Sequence, residues 1–200
     1  MMLVEQTTVP SEALPVSEFK DHLRLGTGFA DDGVQDNVLE SYLRASMAAI
    51  EARTGKVLIT RSYGWTLTGW RELSRQALPV APVAAITEIK IIDRQGAETV
   101  VAPTAYRLEP DSQRPRIVAT TAYLPQIPSH GSVEVKFDAG YGASWAELPP
   151  DLGQAVFLLA AHYYENRSAM VSGERPMPFG VSLLIDRYRT VRLFGGEGAR

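Results

Sequence analysis

Residues 36–67 read DNVLESYLRASMAAIEARTGKVLITRSYGWTL, and the spacing of the apolar side chains changes once inside this segment. In the first half they recur every three or four residues, as on one face of an α-helix. Gly55 follows, and glycine is common directly after the last turn of a helix. From Arg61 to Thr68 the side chains alternate between two faces with the period of a β-strand. The segment therefore predicts a helix and then a strand. The helical stripe comprises Leu39, Tyr42, Leu43, Ser46, Met47 and Ile50.

Upstream of this segment the sequence predicts an arm and a short helix. Residues 3–15 contain two prolines and no periodic pattern, so we expect an extended arm. Ser17 is placed to cap a short helix that reaches Leu23. Asp32, followed three residues later by Gln35, resembles a capping box and marks the start of the long helix.

Downstream, strand-like runs continue to about residue 138. Asp93–Gly96 has the residues of a tight turn and joins two runs rich in β-branched side chains. Val133–Phe137 alternates apolar and charged residues, which is typical of an antiparallel strand with one covered face. We expect a small, mainly antiparallel sheet. Its further strands are predicted at residues 86–92, 99–101, 106–108, 116–118 and 133–137.

The helical period returns in the last third of the chain. Pro149 and Pro150 precede Asp151, an arrangement that favours a helix start, and we expect this helix to end near Arg167. Residues 170–180 predict a loop, and Val181–Val191 a last short helix. The buried stripe of the longer helix is predicted to comprise Leu152, Ala155, Val156, Leu159 and Tyr163.

These elements predict an α+β fold, a helical bundle of about four helices with an inserted, mainly antiparallel β unit. Residues 1–56 supply the arm and the first helices. Residues 57–138 form the β insertion. Residues 139–200 supply the last helices and a tail, and we expect them to pack with residues 1–56 as one helical domain.

Composition excludes several classes of site. The chain of 200 residues has no cysteine, which excludes disulfides, thiolate zinc sites and cysteine nucleophiles. Its longest strongly apolar run, Ala155–Ala161, is far shorter than the roughly 20 residues that span a bilayer, so we expect no membrane contact. The net charge is -3, and no basic stripe is visible along the sequence. A surface that neutralises DNA phosphates would need basic residues gathered against this balance.

Candidate catalytic residues are few, and we expect neither an enzyme nor a cofactor or metal site. His162 lies four residues before Asn166 but lacks the second histidine of a zinc-binding helix. Gly140–Ser144 lacks the lysine of a phosphate-binding loop and the order of a nucleophile elbow. The enzyme alternative is a small hydrolase or sugar-acting domain that uses His130 or the surface around Trp65.

Aromatic side chains leave a second alternative open. Tyr63, Trp65 and Trp70 could form a stacking platform, although aromatic residues on strands usually fill the core of a sheet. Under this alternative, residues 57–138 would be a β module that binds carbohydrate or protein, and the helices would be its scaffold.

Five segments taken in order give the chain a family resemblance: Leu14–Arg24, Ile50–Thr60, Phe137–Gly142, Leu148–Leu152 and Ala161–Arg167. With the order helix, helix, β insertion, helix, helix, they resemble the head–tail connector, or adaptor, proteins of long-tailed phages and gene transfer agents. The resemblance spans nearly the whole chain. An alternative is another neck or tail-completion protein of the same particles.

The resemblance implies a structural subunit of a particle neck, assembled in the bacterial cytoplasm. Such subunits form a typically dodecameric ring beneath the portal protein and present their other surface to a stopper or tail-completion protein. Double-stranded DNA passes through the ring without specific binding.

The resemblance also implies docking to the portal through the C-terminal segment. In that segment, apolar and basic residues form a short amphipathic helix. The alternative is a final helix packed into the core of its own chain. The candidate portal-interface residues are Leu184, Ile185, Arg187, Tyr188, Arg189, Val191 and Arg192.

Overall fold

The structure is a computed structural model that describes residues 1–25, 35–166 and 177–189. In these ranges it contains four α-helices and eight strands, and every paired strand is antiparallel, so the predicted mixed α+β class is confirmed. The helices are α1 (Val16–His22), α2 (Asp36–Thr54), α3 (Pro150–Glu165) and α4 (Phe179–Ile185). The strands are β1 (Met2–Glu5), β2 (Arg61–Leu67), β3 (Arg75–Ala77), β4 (Val83–Ile92), β5 (Glu98–Val100), β6 (Tyr106–Glu109), β7 (Arg116–Ala119) and β8 (Ser132–Ala139).

The long helix α2 ends as its sequence predicts. Gly55 has a left-handed φ of 70°, and its amide donates to the carbonyl of Glu51. At the other end, Gln35 holds the N-cap position with helical backbone angles and no side-chain cap. The predicted capping residue Asp32 lies outside the described residues. Of the predicted stripe, all members are buried except Tyr42, which is half-buried.

Two predictions at the N-terminus are corrected. The short helix α1 begins at Val16, and Pro15 rather than Ser17 holds its N-cap position. The arm contains a strand, because β1 pairs with β2 from Met2 opposite Thr66 onward. A strand of four residues at a sheet edge is too short for the alternation that would reveal it in the sequence.

The strands form two sheets. The larger sheet has the order β1-β2-β8-β4-β5, and the smaller has the order β3-β7-β6. The turn between β4 and β5 is built as predicted, since the carboxylate of Asp93 accepts from the amides of Gln95 and Ala97. Strand β3 was not predicted, because Arg75–Ala77 contains no β-branched or aromatic residue that would indicate a strand.

Buried apolar side chains form two separate clusters. The first, which we call the helical core, joins α1–α4 with Leu58 and Ile59. The second, the sheet core, lies among the strands and contains Tyr63, Trp65 and Phe137. The segment between α2 and β2 thus contributes side chains to both clusters, with Val57 in the sheet core.

Arg61 connects the elements where the two cores meet. Its guanidinium pairs with Glu51 of α2 at 2.6 Å and with Glu5 of β1 at 3.0 Å. The other carboxylate oxygen of Glu51 accepts from the amide of Leu58 at 2.8 Å. Burial raises the pKa of the Glu51 carboxyl, against the opposing pull of Arg61. This one arginine therefore links the arm, the helical core and the sheet.

Lys56 makes a second connection. Its buried ammonium donates to the carbonyl of Ser112 and to the side chain of Gln113, both at 2.7 Å, in the loop between β6 and β7. Burial lowers the pKa of Lys56. The smaller sheet is thereby attached to the end of α2.

Candidate interaction surfaces

The C-terminal helix places its predicted interface residues on two different sides. Val181 and Ile185 are completely buried in the helical core, and Tyr188 is 8% exposed. The hydroxyl of Tyr188 donates to Asp151 at 2.7 Å, and Arg187 pairs with the same carboxylate at 2.8 Å. Ile185 and Tyr188 therefore attach α4 to α3 of their own chain, and their side chains are not presented to a partner.

The remaining candidates differ in their exposure. Leu184 is half-buried, while Arg187 and Arg189 are exposed. Arg189 makes a long ion pair of 3.4 Å with Asp186. Val191 and Arg192 lie outside the described residues. Docking through this segment remains a prediction, and in the described part of the chain its accessible members are Leu184 and the two arginines.

The outer side of α4 carries two large apolar residues. Phe179 is 82% exposed and Leu183 is 65% exposed. They are four residues apart, so their side chains lie on one face, which we call the α4 face. The sequence prediction missed this face because Phe179 was assigned to a loop. The sequence does contain a signal for this face. Phe179 and Leu183 each lie two positions before a member of the buried pair Val181 and Ile185, which places them on the opposite side of the helix.

A second surface is formed by the small sheet. Its register places Arg75 and Arg107 on either side of Val118 and places Arg116 beside Glu109. Since opposite residues on paired strands point to the same side, these side chains share one face, which we call the arginine face. The other face of the same strands is buried at Gln76 and Ile117.

The arginine face is only partly neutralised. Arg75 pairs with Glu72 at 2.5 Å, and this hydrogen bond lowers the pKa of Glu72. Glu109 lies 3.7 Å from both Arg107 and Arg116. Exposed Arg71 and Arg114 flank the strands, so five arginines stand against two glutamates. No basic stripe is visible in the sequence, because strand pairing gathers arginines that are 9 to 41 positions apart.

The aromatic residues considered for a stacking platform fill the sheet core. Tyr63 is 6% exposed and Trp65 is 1% exposed. Trp70 is half-buried, and its indole N–H donates to the carbonyl of Pro125 at 2.7 Å. The prediction that these residues belong to the core is confirmed.

The histidines considered for catalysis are dispersed. His130 lies exposed in a turn with a φ of 61°. His162 contacts the side chain of Asn166 at 3.2 Å. No group of three or more His, Cys, Asp or Glu side chains within the described ranges is arranged to hold a metal ion. In the same ranges, no helix is both long and apolar enough to cross a membrane.

Comparison with known proteins gives matches among solved structures. No protein-family model matches the chain, and no curated protein matches it. A chain from the neck of an empty GTA particle computed with C6 symmetry is 58% identical, with a TM-score of 0.90 over 99% of this chain and 100% of that one.

Two further structures agree with it. A chain from the virion of a native gene transfer agent (GTA) particle is 59% identical, with a TM-score of 0.87 over 98% of this chain and 99% of that one. A chain from the neck of a native GTA particle computed with C12 symmetry is 54% identical, with a TM-score of 0.85 over 99% and 100% of the two chains. Identity of this level over the full length establishes the family, and the chain belongs to the neck proteins of gene transfer agent particles.

Proposed function

We propose that this chain is a head–tail connector, or adaptor, subunit that forms a ring under the portal protein and joins the capsid to the tail. The observation that carries the proposal is the 58% identity, over 99% of the chain, to a chain from a particle neck computed with C6 symmetry. The match to a neck computed with C12 symmetry supports a dodecameric ring. Assembly takes place in the bacterial cytoplasm, and the finished ring lies in the particle neck.

The role is mechanical rather than catalytic. The ring holds the portal on one side and a stopper or tail-completion protein on the other, and duplex DNA passes through its centre during ejection. Residues 1–56 and 139–200 form the helical domain, and residues 57–138 the inserted β unit. The separation of buried side chains into the helical core and the sheet core supports this division.

The α4 face supports portal docking by the C-terminal segment. Phe179 and Leu183 leave two large apolar side chains exposed on one face, and contiguous exposed apolar surface marks sites of interaction with other proteins. Arg187 and Arg189 lie beside this face and can pair with carboxylates of the portal. Ile185 and Tyr188 set the position of the helix from inside the chain.

A test mixes the purified subunit with purified portal and measures complex mass. We expect a stoichiometric ring on the portal. The double variant Phe179→Ser and Leu183→Ser should lose docking while its thermal unfolding stays unchanged. Val100→Ser is the matched control, because Val100 is also exposed, by 60%, but lies on β5. Failure of the folded wild-type protein to bind portal would contradict the adaptor role.

Imaging of intact particles provides the second test. Density for this chain directly beneath the portal is expected. Density lower in the neck, with no portal contact, would instead assign the chain to the stopper or tail-completion position.

A further inference from the structure

We propose that the arginine face of one subunit docks into an acidic groove on the helical core of the next subunit in the ring. This inference rests on the proposed ring and assigns the two surfaces that meet between neighbouring copies. Both surfaces contain exposed charged residues that form weak ion pairs, or none, within the described part of their own chain.

The arginine face has the properties of a protein-binding surface. Arg107 keeps 58% of its side chain exposed, and its distance of 3.7 Å to Glu109 is too long for a strong ion pair. Leu73 and Tyr123 lie at the edge of this face, where the amide of Leu124 donates to the carbonyl of Leu73. They are 68% and 64% exposed. Arginine and tyrosine are the residues most enriched at interface centres.

The partner that this surface fits is a protein with carboxylates rather than DNA. Glu72 and Glu109 lie among the arginines, and both would repel a phosphate backbone. Exposed Leu73 gains nothing from a phosphate but is covered at a protein interface. A partner must therefore offer carboxylates beside an apolar recess.

The helical core offers such a recess on the same chain. Residues 11–18 and 144–146 line a groove in which Leu14 is buried and Val16 and Trp145 are half-buried. Trp145 stacks on Phe157 with ring centroids 5.2 Å apart, so this wall is fixed by the core. The groove therefore presents polar and apolar surface together, and its Trp145 wall is packed on the helical core.

Carboxylates surround the groove. Glu12 and Glu18 belong to its lining, and Asp21 lies one helical turn beyond Glu18. All three are exposed, and none makes an ion pair with another residue of the described chain. Their charge is complementary to the arginine face. The apolar floor accommodates Leu73 and Tyr123.

Two different surfaces on one subunit imply a head-to-tail contact. Such a contact can repeat around a rotation axis and gives a ring when the rotation closes, whereas contact between identical patches would stop at a dimer. The arginine face belongs to the β unit and the groove to the helical core. Each ring contact therefore joins the β unit of one copy to the helices of its neighbour.

Charge reversal tests the contact in rings assembled on portal. Arg107→Glu with Arg116→Glu should reduce ring formation at least tenfold, and Glu18→Arg with Asp21→Arg should do the same. A chain that carries all four changes should assemble again, because the charges are exchanged and still complementary. Arg53→Glu with Arg94→Glu, two exposed arginines elsewhere, should leave assembly unchanged.

Cross-linking provides a readout that does not depend on lost assembly. Since the chain has no cysteine, Ser17→Cys with Arg75→Cys introduces the only thiols. Oxidation of assembled rings should give a ladder of covalent multimers, and each single variant should give none. Rings that form normally without a ladder, and that tolerate both charge reversals, would overturn this inference and leave the adaptor role intact.

Two other outcomes have distinct meanings. Absence of any wild-type ring on folded portal would refute the adaptor role itself. Charge reversal of the arginine face that spares the ring but abolishes DNA retention in particles would overturn the inference in favour of a DNA-facing surface.

Discussion

The elements around the helical core and those around the sheet core differ in which side chains they expose. On the larger sheet several outward-facing charged residues are paired with one another, as in the contact of 3.0 Å between Lys136 and Glu88. The helices instead leave Phe179 and Leu183 open on α4. The exposed face of the β unit therefore combines charge with the apolar side chains of Leu73 and Tyr123, whereas the α4 face is mainly apolar. Charge gives orientation and depends on salt, while apolar burial gives affinity that salt does not weaken.

Two basic side chains reinforce the backbone hydrogen bonds that join the two cores. Arg61 contacts the arm, α2 and the sheet, and Lys56 attaches the small sheet to the end of α2. Whether the two cores unfold together depends on this junction.

The largest expected effect is that of Arg61→Ala. The change leaves the largely buried carboxylate of Glu51 without a cation, and breaking a buried pair costs about 4 kcal/mol of unfolding free energy. Denaturant titration should show this loss. We also expect two separate transitions instead of one, since the junction is weakened. Arg189→Ala, which breaks an exposed pair, should cost less than about 1 kcal/mol. Equal losses would contradict the role given to Arg61.

The next prediction compares the two sides of α4. Ile185→Ala removes a fully buried side chain and should cost about 3 kcal/mol of unfolding free energy. Leu183→Ala, on the exposed side, should leave that free energy nearly unchanged. Portal binding by the folded proteins should show the reverse order. If Leu183→Ala destabilises the chain as much as Ile185→Ala, the α4 face is covered by its own chain.

The pH dependence distinguishes Glu51 at the junction from Glu40 on the surface of α2. Because the pKa of Glu51 is raised by burial, its contribution to stability is complete below the ordinary glutamate pKa and is lost as pH rises through the raised value. Wild-type protein should therefore lose stability relative to Glu51→Gln as pH rises.

Glu40 should behave in the opposite sense. The hydrogen bond from Arg44 lowers the pKa of Glu40, so its contribution is present above the ordinary glutamate pKa and is lost as pH falls through the lowered value. Thermal unfolding of Glu40→Gln and wild type between acidic and neutral pH measures this. Parallel pH profiles for the two variants would refute the assigned directions.

The sequence predicts the long periodic elements and most of the strands, and misses β1 and β3. Helix α2 and helix α3 have many turns, so their apolar stripes agree on their position with Gly55 after α2 and the prolines before α3. Strands β1 and β3 contain four and three residues, and pairing partners far along the chain determine their existence. Local pattern cannot supply that information.

For the candidate surfaces, too, the sequence indicates the local feature but not the contacts that depend on distant parts of the chain. The sequence indicated an amphipathic last helix, and the family resemblance placed Ile185 and Tyr188 among the candidate portal-interface residues. Their burial depends on contacts with α3, such as the hydrogen bond from Tyr188 to Asp151. The arginine face depends on the register of three strands and could not be predicted before the topology was known.

The smallest expected effect concerns DNA, which should slide through the ring without being held. The net charge of -3 and acids such as Asp36 and Glu40 disfavour duplex binding. On the arginine face, Glu72 and Glu109 offset two of the five arginines, leaving about three phosphate contacts at most. The logarithm of affinity should then fall with the logarithm of salt concentration with a slope no steeper than about -3.

Fluorescence anisotropy with a short duplex, at several salt concentrations, measures this slope. We expect weak binding by the free protein, and Arg107→Ala should lower it only slightly because each phosphate contact contributes little at moderate salt. Assembled rings should bind no more tightly per subunit, since the arginine face is then covered by the neighbouring copy. Tight binding with a steep slope that disappears in Arg107→Glu would place the arginine face against DNA and reverse the contrast drawn between the two cores.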